Sequence, residues 1–435
     1  MSESKPKIDA NLETTRRGYL THLTPARRGF ITNYPNFQHW KKTSEEGILA
    51  QPPLNIYVHI PFCAQQCSYC YYKTIQNSRK SEVDQYVETL CKEIELATRR
   101  FHLDERVVNS VYFGGGTPSL LSGENLKRIV ECLRSHLTIP AEAEFTVEAE
   151  PVTLTAKTAD ALRELKVNRI SLGVQSLCDD IIKLSNRKDT EAKVLKAIEI
   201  AQSVGAAVNI DLMSGLAGET FKTWEYSVQK ALASKVESIT VYKTELYANT
   251  EYFQEIRKDN LVLPSDEQEL EFMQYALDEF AKANYLPWSF FTFTRDGKYA
   301  HEHAPSIWRG GDYYPFGTSA FGRVGDWLFQ NTSDMAKYSQ KIAEGELAIN
   351  RGHQLTAQDL MVRELVLGMK LMRLDMAVFE DKFGFQVEKL CASALDELVK
   401  DDFISVENQI ISLTGKGMLH GDYAGKRLGQ DILKA

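Results

Sequence analysis

Six short apolar segments alternate with longer amphipathic segments between residue 54 and about residue 245. The apolar segments, each typical of a buried strand, are 55–60, 110–113, 143–147, 169–174, 207–213 and 238–242. Helical patterns lie between them, at 81–101, 122–136, 155–166, 189–204 and 220–234. This alternation indicates parallel βαβ units, and six units predict an α/β fold built on a partial, TIM-like (β/α)6 barrel. In such folds the functional side chains collect at the carboxyl ends of the strands.

The segments on either side of this core divide the chain into three predicted parts. Residues 1–52 are polar and irregular and are predicted to form an N-terminal arm or lid. Residues 53–345 contain the barrel and its extension, and 346–435 are predicted to form a C-terminal helical, winged-helix-like domain. The arm carries four arginines, Arg16, Arg17, Arg27 and Arg28. These arginines are either solvated or meet an anionic substrate when the arm closes, and the sequence favours neither interpretation.

Composition and charge restrict the partners. The net charge of −8 does not favour a nucleic-acid partner. No stretch approaches the roughly 20 apolar residues of a membrane span, and the N-terminus has no apolar signal core. We therefore expect a cytoplasmic monomer that acts on a small molecule.

Three of the seven cysteines, Cys63, Cys67 and Cys70, follow the first predicted strand in the spacing C-x3-C-x2-C. A structural zinc site requires four ligands, and a redox pair of Cys67 and Cys70 leaves Cys63 without a role. A [4Fe–4S] cluster held by three thiolates explains all three cysteines and leaves one iron open. An open iron can chelate S-adenosylmethionine (SAM), and electron transfer from the cluster then releases a 5′-deoxyadenosyl radical.

Two motifs around this loop carry a family resemblance. They are the lead-in Tyr57-Val-His-Ile-Pro-Phe-Cys and the glycine motif Phe113-Gly-Gly-Gly-Thr-Pro-Ser. The chain resembles the radical SAM superfamily, and within it the branch named for the oxygen-independent coproporphyrinogen III dehydrogenases. The resemblance implies a barrel of the radical SAM type, a [4Fe–4S] cluster, one or two SAM molecules, and a reductant such as flavodoxin or ferredoxin.

The same resemblance assigns the site residues. It implies that Cys63, Cys67 and Cys70 hold the cluster and that Tyr57 sits over the SAM site. The implied SAM contacts are Tyr57, Tyr69, Gly114, Gly115, Gly116, Thr117, Glu148, Gln175, Arg187 and Asp211. Glycines let the backbone approach the methionine amino group of SAM, and a carboxylate such as Glu148 suits its ribose hydroxyls or ammonium. Arg187 is expected to pair with the SAM carboxylate.

The residues after the third cysteine bear on the substrate. Porphyrinogen enzymes of the branch have a further cysteine two residues on, where this chain has Tyr72. This departure favours methyl or methylene transfer, from a second SAM, to an unsaturated carbon of a small planar metabolite. The alternatives are an oxygen-independent coproporphyrinogen III dehydrogenase and a haem chaperone.

A histidine pair, His301 and His303, lies downstream of the predicted barrel. Two imidazoles with no further ligand nearby in the sequence supply too few donors for a structural metal site. We therefore predict that they lie in a surface loop.

Overall fold

The structure is a computed structural model that describes residues 31–37, 40–41, 54–299 and 301–434. The four arginines of the arm, for which the sequence favours neither interpretation, lie outside these residues. The strands are β1 Leu54–Ile60, β2 Val108–Gly115, β3 Glu144–Ala149, β4 Arg169–Gln175, β5 Ala207–Ser214, β6 Ser238–Lys243, β7 Tyr285–Ser289, β8 Thr292–Arg295, β9 Asp312–Phe316, β10 Phe321–Val324, β11 Trp327–Asn331, β12 Ile349–Gln354, β13 Arg373–Asp375, β14 Ile404–Glu407 and β15 Ile410–Leu413.

The helices follow the strands in the predicted alternation. They are α1 Lys80–Phe101, α2 Gly123–His136, α3 Ala156–Glu164, α4 Asp179–Leu184, α5 Glu191–Ser203, α6 Phe221–Ala233, α7 Glu251–Arg257, α8 Asp266–Lys282, α9 His303–Trp308, α10 Met335–Ala343, α11 Ala357–Gly368, α12 Met376–Phe383, α13 Val387–Leu390, α14 Ala392–Lys400, α15 Gly415–Leu419 and α16 Tyr423–Lys434. Among the residues described, no helix combines the length and hydrophobicity needed to cross a bilayer.

Strands β1 to β6 are parallel neighbours in chain order and form the predicted partial barrel. The barrel does not close, because β1 pairs with β9 on its free side and β6 pairs with β8. The complete sheet has 12 strands in the order β12-β11-β10-β9-β1-β2-β3-β4-β5-β6-β8-β7. The sequence therefore predicts the six parallel strands of the core. Strand β9 adds to them in parallel beside β1, and antiparallel strands extend the sheet beyond β9 and β6.

The side chains of β4 alternate between two environments. Ile170, Leu172 and Val174 are fully buried in the apolar core outside the barrel. The alternate side chains, beginning with Arg169 and Ser171, line a cavity inside the barrel. Because successive side chains of a strand point to opposite faces, a strand can bury an apolar face and still carry polar residues into the site.

The C-terminal domain combines helices α11 to α16 with the small sheet β13-β15-β14, which is the predicted winged-helix-like arrangement. The predicted boundary at residue 346 is too early. Strand β12, Ile349–Gln354, pairs with β11 and so belongs to the main sheet. The small domain begins after this strand.

A buried ion pair joins the arm, the C-terminal domain and the cavity wall. The Lys370 ammonium lies 2.7 Å from Asp422 Oδ1, and both side chains are almost completely buried. The other Asp422 oxygen accepts a hydrogen bond of 2.7 Å from the Ile31 backbone N–H. The described part of the arm is therefore tied to the small domain at this carboxylate.

Glu93, on α1, is a buried carboxylate that holds a turn after β9. It accepts hydrogen bonds from the Gly317 N–H, the Asn331 amide and the Tyr338 hydroxyl, at 2.7, 2.6 and 2.8 Å. Burial raises the pKa of Glu93 to about 7, although these hydrogen bonds act in the opposite direction. Folding therefore takes up a proton at this site between the ordinary pKa of 4.5 and about pH 7.

We expect the stability that Glu93 contributes to be present at low pH and to decline as the pH rises through about 7. Thermal unfolding at pH 5 and pH 8 should show a larger decline for the wild type than for Glu93→Gln, which cannot titrate. Glu88→Gln, on the exposed face of the same helix, is the control and should follow the wild type. Identical declines in all three proteins would contradict the assignment.

Candidate active site

The cysteine loop follows β1 and is held in place by backbone hydrogen bonds. The Cys63 N–H donates to the Ile75 carbonyl at 3.0 Å, and the Ile75 N–H donates to the Pro61 carbonyl at 2.8 Å. The Cys70 N–H donates to the Cys67 carbonyl at 3.0 Å, which closes a turn between the second and third cysteines. All three thiols are free and line one cavity.

The three thiols lie on one loop and line one cavity, so a single cluster can be held by all of them. Burial raises the pKa of Cys63 to about 11 and that of Cys70 to about 12, so their thiolates require a compensating cation. Bound iron supplies that compensation.

Arg187 lies behind the cysteine loop and is fully engaged by protein groups. Its guanidinium contacts Asp189 at 2.8 Å and donates to the Gly173 carbonyl at 2.7 Å. It also donates to the Tyr69 hydroxyl at 3.0 Å and lies 3.6 Å from the Cys67 sulfur.

Arg187 also lines the cavity, and its predicted contact with the SAM carboxylate stays a prediction. A guanidinium has five N–H donors in a fixed fork. The Arg187 guanidinium joins Cys67 and Tyr69 of the cysteine loop to the end of β4 and to Asp189. The geometry therefore indicates that Arg187 positions the loop.

The glycine motif is packed directly against the cysteine loop. The Gly116 N–H donates to the Ile60 carbonyl and the Thr117 N–H to the Phe62 carbonyl, both at 2.7 Å. A Cβ atom on Gly116 would lie 2.7 Å from the Phe62 carbonyl oxygen, so no side chain fits there. The Thr117 hydroxyl also lies 3.4 Å from the Cys63 sulfur. Close packing of two loops is therefore one reason for glycine here, besides the predicted approach to SAM.

Gly115 has a second constraint. Its φ is +109°, and a Cβ atom would clash with the His59 ring. The Gly115 N–H donates to Glu148 Oε2 at 3.1 Å. Both Gly115 and Glu148 line the cavity. A Cβ atom on Gly114 would lie 3.0 Å from the Glu148 side chain, so a side chain there would crowd the carboxylate.

Glu148, Gln175 and Asp211 stand on β3, β4 and β5 and line the cavity as predicted. Gln175 ends its strand at an irregularity in the β4–β5 register, with a φ of +64°. The Asp211 carboxylate accepts hydrogen bonds from Ser171 and Asn209 at 3.1 and 2.8 Å. The structure thus brings the three predicted SAM contacts to one wall.

Tyr57 lies behind the lining rather than in it. Its hydroxyl is 3.1 Å from His59 Nδ1, and its ring stacks on Tyr112 with centroids 6.2 Å apart. Burial lowers the pKa of His59 to about 4, so this imidazole is neutral at physiological pH. The predicted role of Tyr57 over SAM stays a prediction.

The cavity has a volume of about 530 Å³ and extends from the cysteines to an aromatic end. This volume is typical of small-molecule sites. The aromatic end contains four large rings and three imidazoles: Trp288, Phe290, Phe291, Trp308, His301, His303 and His420. His420 comes from the C-terminal domain, and Ile31 and Thr32 of the arm also reach the cavity.

The prediction that His301 and His303 lie in a surface loop is wrong. Both side chains are buried and line the cavity. His301 Nδ1 lies 3.3 Å from Glu144 Oε2, and His303 Nδ1 lies 2.7 Å from the Ser110 hydroxyl. Glu144 and Ser110 are inward-facing residues of β3 and β2, so the loop folds back under the barrel. The sequence spacing carries no signal of this long-range contact.

The comparisons with known proteins agree with this geometry. Residues 57–231 match the radical SAM superfamily, and residues 355–420 match the HemN C-terminal domain. The heme chaperone HemW of Lactococcus lactis is 30% identical over 376 residues, which are 86% of this chain and 97% of that protein. The chain belongs to the radical SAM superfamily.

Other relatives place this radical SAM protein in the coproporphyrinogen oxidase-like branch. The oxygen-independent coproporphyrinogen III oxidase of Pseudomonas aeruginosa is 31% identical over 84% of this chain and 83% of that protein. The structure of the Escherichia coli coproporphyrinogen III oxidase HemN has the same fold, with a TM-score of 0.80 and 24% identity. That match covers 93% of this chain and 96% of HemN.

Membership settles the cofactors and the broad activity. The protein is a radical SAM enzyme that uses a [4Fe–4S] cluster and SAM, and it needs a reductant and a small substrate. The relatives do not support the predicted methyl or methylene transfer. They are oxidases and haem chaperones, which correspond to the two alternatives.

Glu148 should make SAM binding depend on pH. Burial raises the pKa of Glu148 to about 7, although the Tyr112 hydroxyl, at 2.7 Å, and the Gly115 N–H favour its ionised form. The ionised carboxylate is the stronger acceptor for ribose hydroxyls or an ammonium. We expect SAM affinity to increase as the pH rises through about 7 and Glu148→Gln to remove this increase. Equilibrium dialysis between pH 5.5 and 8.5 tests it, and an unchanged slope in the variant would contradict the assignment.

Proposed function

We propose that this protein is a radical SAM enzyme that binds a haem-type tetrapyrrole beside its SAM site. The observation that carries the proposal is the continuity of the cavity. One wall holds the three cysteines, and the far end holds four large aromatic rings and three imidazoles. Flat aromatic rings stack on a planar conjugated ligand, and imidazole is a common ligand of haem iron.

Haem is the preferred tetrapyrrole for two reasons. The heme chaperones of Lactococcus lactis and Bacillus subtilis are each 30% identical to this chain and are matched over 97% and 96% of their lengths. The described lining of the cavity also contains more carboxylates than cations. Its carboxylates are Glu148, Glu150, Asp211, Glu245 and Asp422, whereas its cations are Arg169, Arg187 and Lys243. A ligand with few anionic groups suits this balance better than one with many.

The second candidate is oxidation of coproporphyrinogen III. It is supported by the 31% identity to the Pseudomonas aeruginosa oxidase. Tyr72 argues against it. This residue lines the cavity. The family resemblance implies a cysteine at this position in the oxidases of the branch. The Tyr72 ring stacks on Tyr71 with centroids 4.4 Å apart, and Tyr71 packs on Tyr247 at 4.2 Å. These rings give the cysteine end an aromatic surface in place of a fourth thiol.

In this proposal the side chains have separate tasks. Cys63, Cys67 and Cys70 would hold the cluster, and Glu148 and Asp211 would orient SAM beside it. When bound, the cluster and SAM supply the one-electron cleavage of a C–S bond, a chemistry that protein side chains lack. The aromatic end would hold the macrocycle in a fixed orientation and exclude water from the reacting groups.

An anaerobic assay tests the proposal. The protein with a reconstituted cluster is given dithionite, SAM and either haem or coproporphyrinogen III. We expect the Soret band of haem to shift on binding, and 5′-deoxyadenosine to form. Consumption of coproporphyrinogen III with no haem binding would support the second candidate. Failure of both tetrapyrroles to bind, with SAM cleavage intact, would overturn the proposal and leave the family assignment standing.

A further inference from the structure

Arg169 is a buried cation that faces the cavity. It begins β4, is 8% exposed and lines the cavity. The other two cations of the lining are occupied, since Arg187 is bound by Asp189 and Lys243 is paired with Glu269. Within the part of the chain that the structure describes, the Arg169 guanidinium takes part in no hydrogen bond or ion pair. Its guanidinium donors face the cavity, where a ligand can supply acceptors that the described residues do not.

The carboxylates around Arg169 are held by other donors. Glu144 accepts from the Glu302 N–H at 2.9 Å and contacts His301 at 3.3 Å. Glu148 accepts from Tyr112 at 2.7 Å. Asp211 is bound in the same way by Ser171 and Asn209. Because none of these carboxylates lies within ion-pair distance of Arg169, they leave its donors open to the cavity.

The position of Arg169 separates it from the cysteine end of the cavity. Arg169 and Gln175 are at opposite ends of β4, and six residues of strand span about 20 Å. Gln175 stands at the cysteine end, because Gly173, close to it, is bonded to the Arg187 that supports the cysteine loop. A SAM carboxylate chelated at the cluster would not reach Arg169 as well. The open fork therefore faces the inner end of the cavity, beside His301 and His303.

We infer that Arg169 binds a carboxylate of the substrate at the inner end of the cavity. The inference rests on the proposed tetrapyrrole function and adds that the ligand is a carboxylic acid recognised through its side chain. A planar guanidinium fork binds a carboxylate with two parallel hydrogen bonds, and such charge-assisted bonds are the strong ones. In a haem-type ligand the group is a propionate.

The test compares haemin with haemin dimethyl ester, which keeps the iron and the macrocycle and lacks the carboxylates. Holoprotein is titrated with each compound, and the shift of the Soret band gives the affinity. The wild type should bind the diacid about 10- to 100-fold more tightly than the ester, as expected for a hydrogen-bonded charged group. Arg169→Gln should abolish this ratio, and Arg169→Lys should retain part of it. Arg163→Gln, a surface arginine with the same charge change, should retain it fully.

Three other results would overturn the inference. Equal affinities of diacid and ester for the wild type would overturn the inference without any variant. An unchanged ratio in Arg169→Gln, with weaker SAM binding, would assign Arg169 to the SAM site and also overturn it. Binding of neither compound to the wild type would overturn the tetrapyrrole proposal and the inference with it.

Discussion

Replacing Cys67 by alanine should abolish the reductive cleavage of SAM and lower the iron bound per chain. Cys67 is one of three thiols that line the cavity, and two thiols cannot hold a cluster that normally takes three or four. The loss should exceed the roughly 10- to 100-fold effect of losing an outer-shell partner of a metal site. The measurements are iron and sulfide content after anaerobic reconstitution, and 5′-deoxyadenosine formed with dithionite.

Cys178→Ala is the matched control, because Cys178 is a free, partly buried cysteine that is not among the residues lining the cavity. This variant should keep the cluster and its activity. Retained SAM cleavage in Cys67→Ala would refute the assignment of the cysteine loop.

Replacing Arg187 by methionine should destabilise the protein by about 3–5 kcal/mol, because it leaves the Asp189 charge buried without its partner. The same change removes the bonds to Tyr69 and Gly173, so the cysteine loop should also lose its position. We therefore expect lower cluster content as well as a lower unfolding free energy. Urea unfolding of the apoprotein and iron content of the reconstituted protein measure the two effects.

A double variant, Arg187→Met with Asp189→Leu, separates the causes. It removes the unpaired charge and should recover much of the stability, while cluster content stays low because the loop contacts are still missing. A direct role in binding the SAM carboxylate predicts another pattern. In that case Arg187→Met would keep its stability and its iron and would lose only SAM affinity.

Much of the fold is predictable because the apolar pattern repeats. Each predicted strand from 55–60 to 238–242 lies within an observed strand or differs from it by one residue. The register of polar side chains inside the barrel follows from the same period of two, as the alternation along β4 illustrates. The strands β7 to β12 were harder to predict, because they are short. Strands β7–β8 and β10–β11 form local hairpins, whereas β9 pairs with β1, which lies far away in sequence.

The residues of the candidate site also differ in how far the sequence predicts their positions. The cysteines, the glycine motif and Glu148 follow strand ends, so their proximity follows from the barrel itself. His301 and His303 reach the cavity only because their loop packs against Glu144 and Ser110. Arg169 could have been found from its inward register on β4. The sequence could not reveal that the Arg169 guanidinium makes no hydrogen bond or ion pair with the described residues. This depends on which donors hold the surrounding carboxylates.

The methyl-transfer prediction rested on the residues that follow Cys70, above all on Tyr72. That residue does line the cavity, but the far end of the same cavity carries the rings and imidazoles that bear on the ligand. Those side chains come from β7 to α9 and from the C-terminal domain, outside the motifs that carry the family resemblance. In the proposed function, the substrate class therefore depends on residues that only the tertiary structure brings together.

Electron paramagnetic resonance of the reduced cluster tests the central claim most directly, since that claim is a three-cysteine cluster with an open iron at the mouth of the cavity. The reconstituted protein is reduced with dithionite, and its spectrum is recorded with and without SAM. The structure and the family predict a cluster signal whose g-values change when SAM binds, and the same change should be absent in Cys67→Ala. A cluster signal that SAM leaves unaltered would contradict the claim.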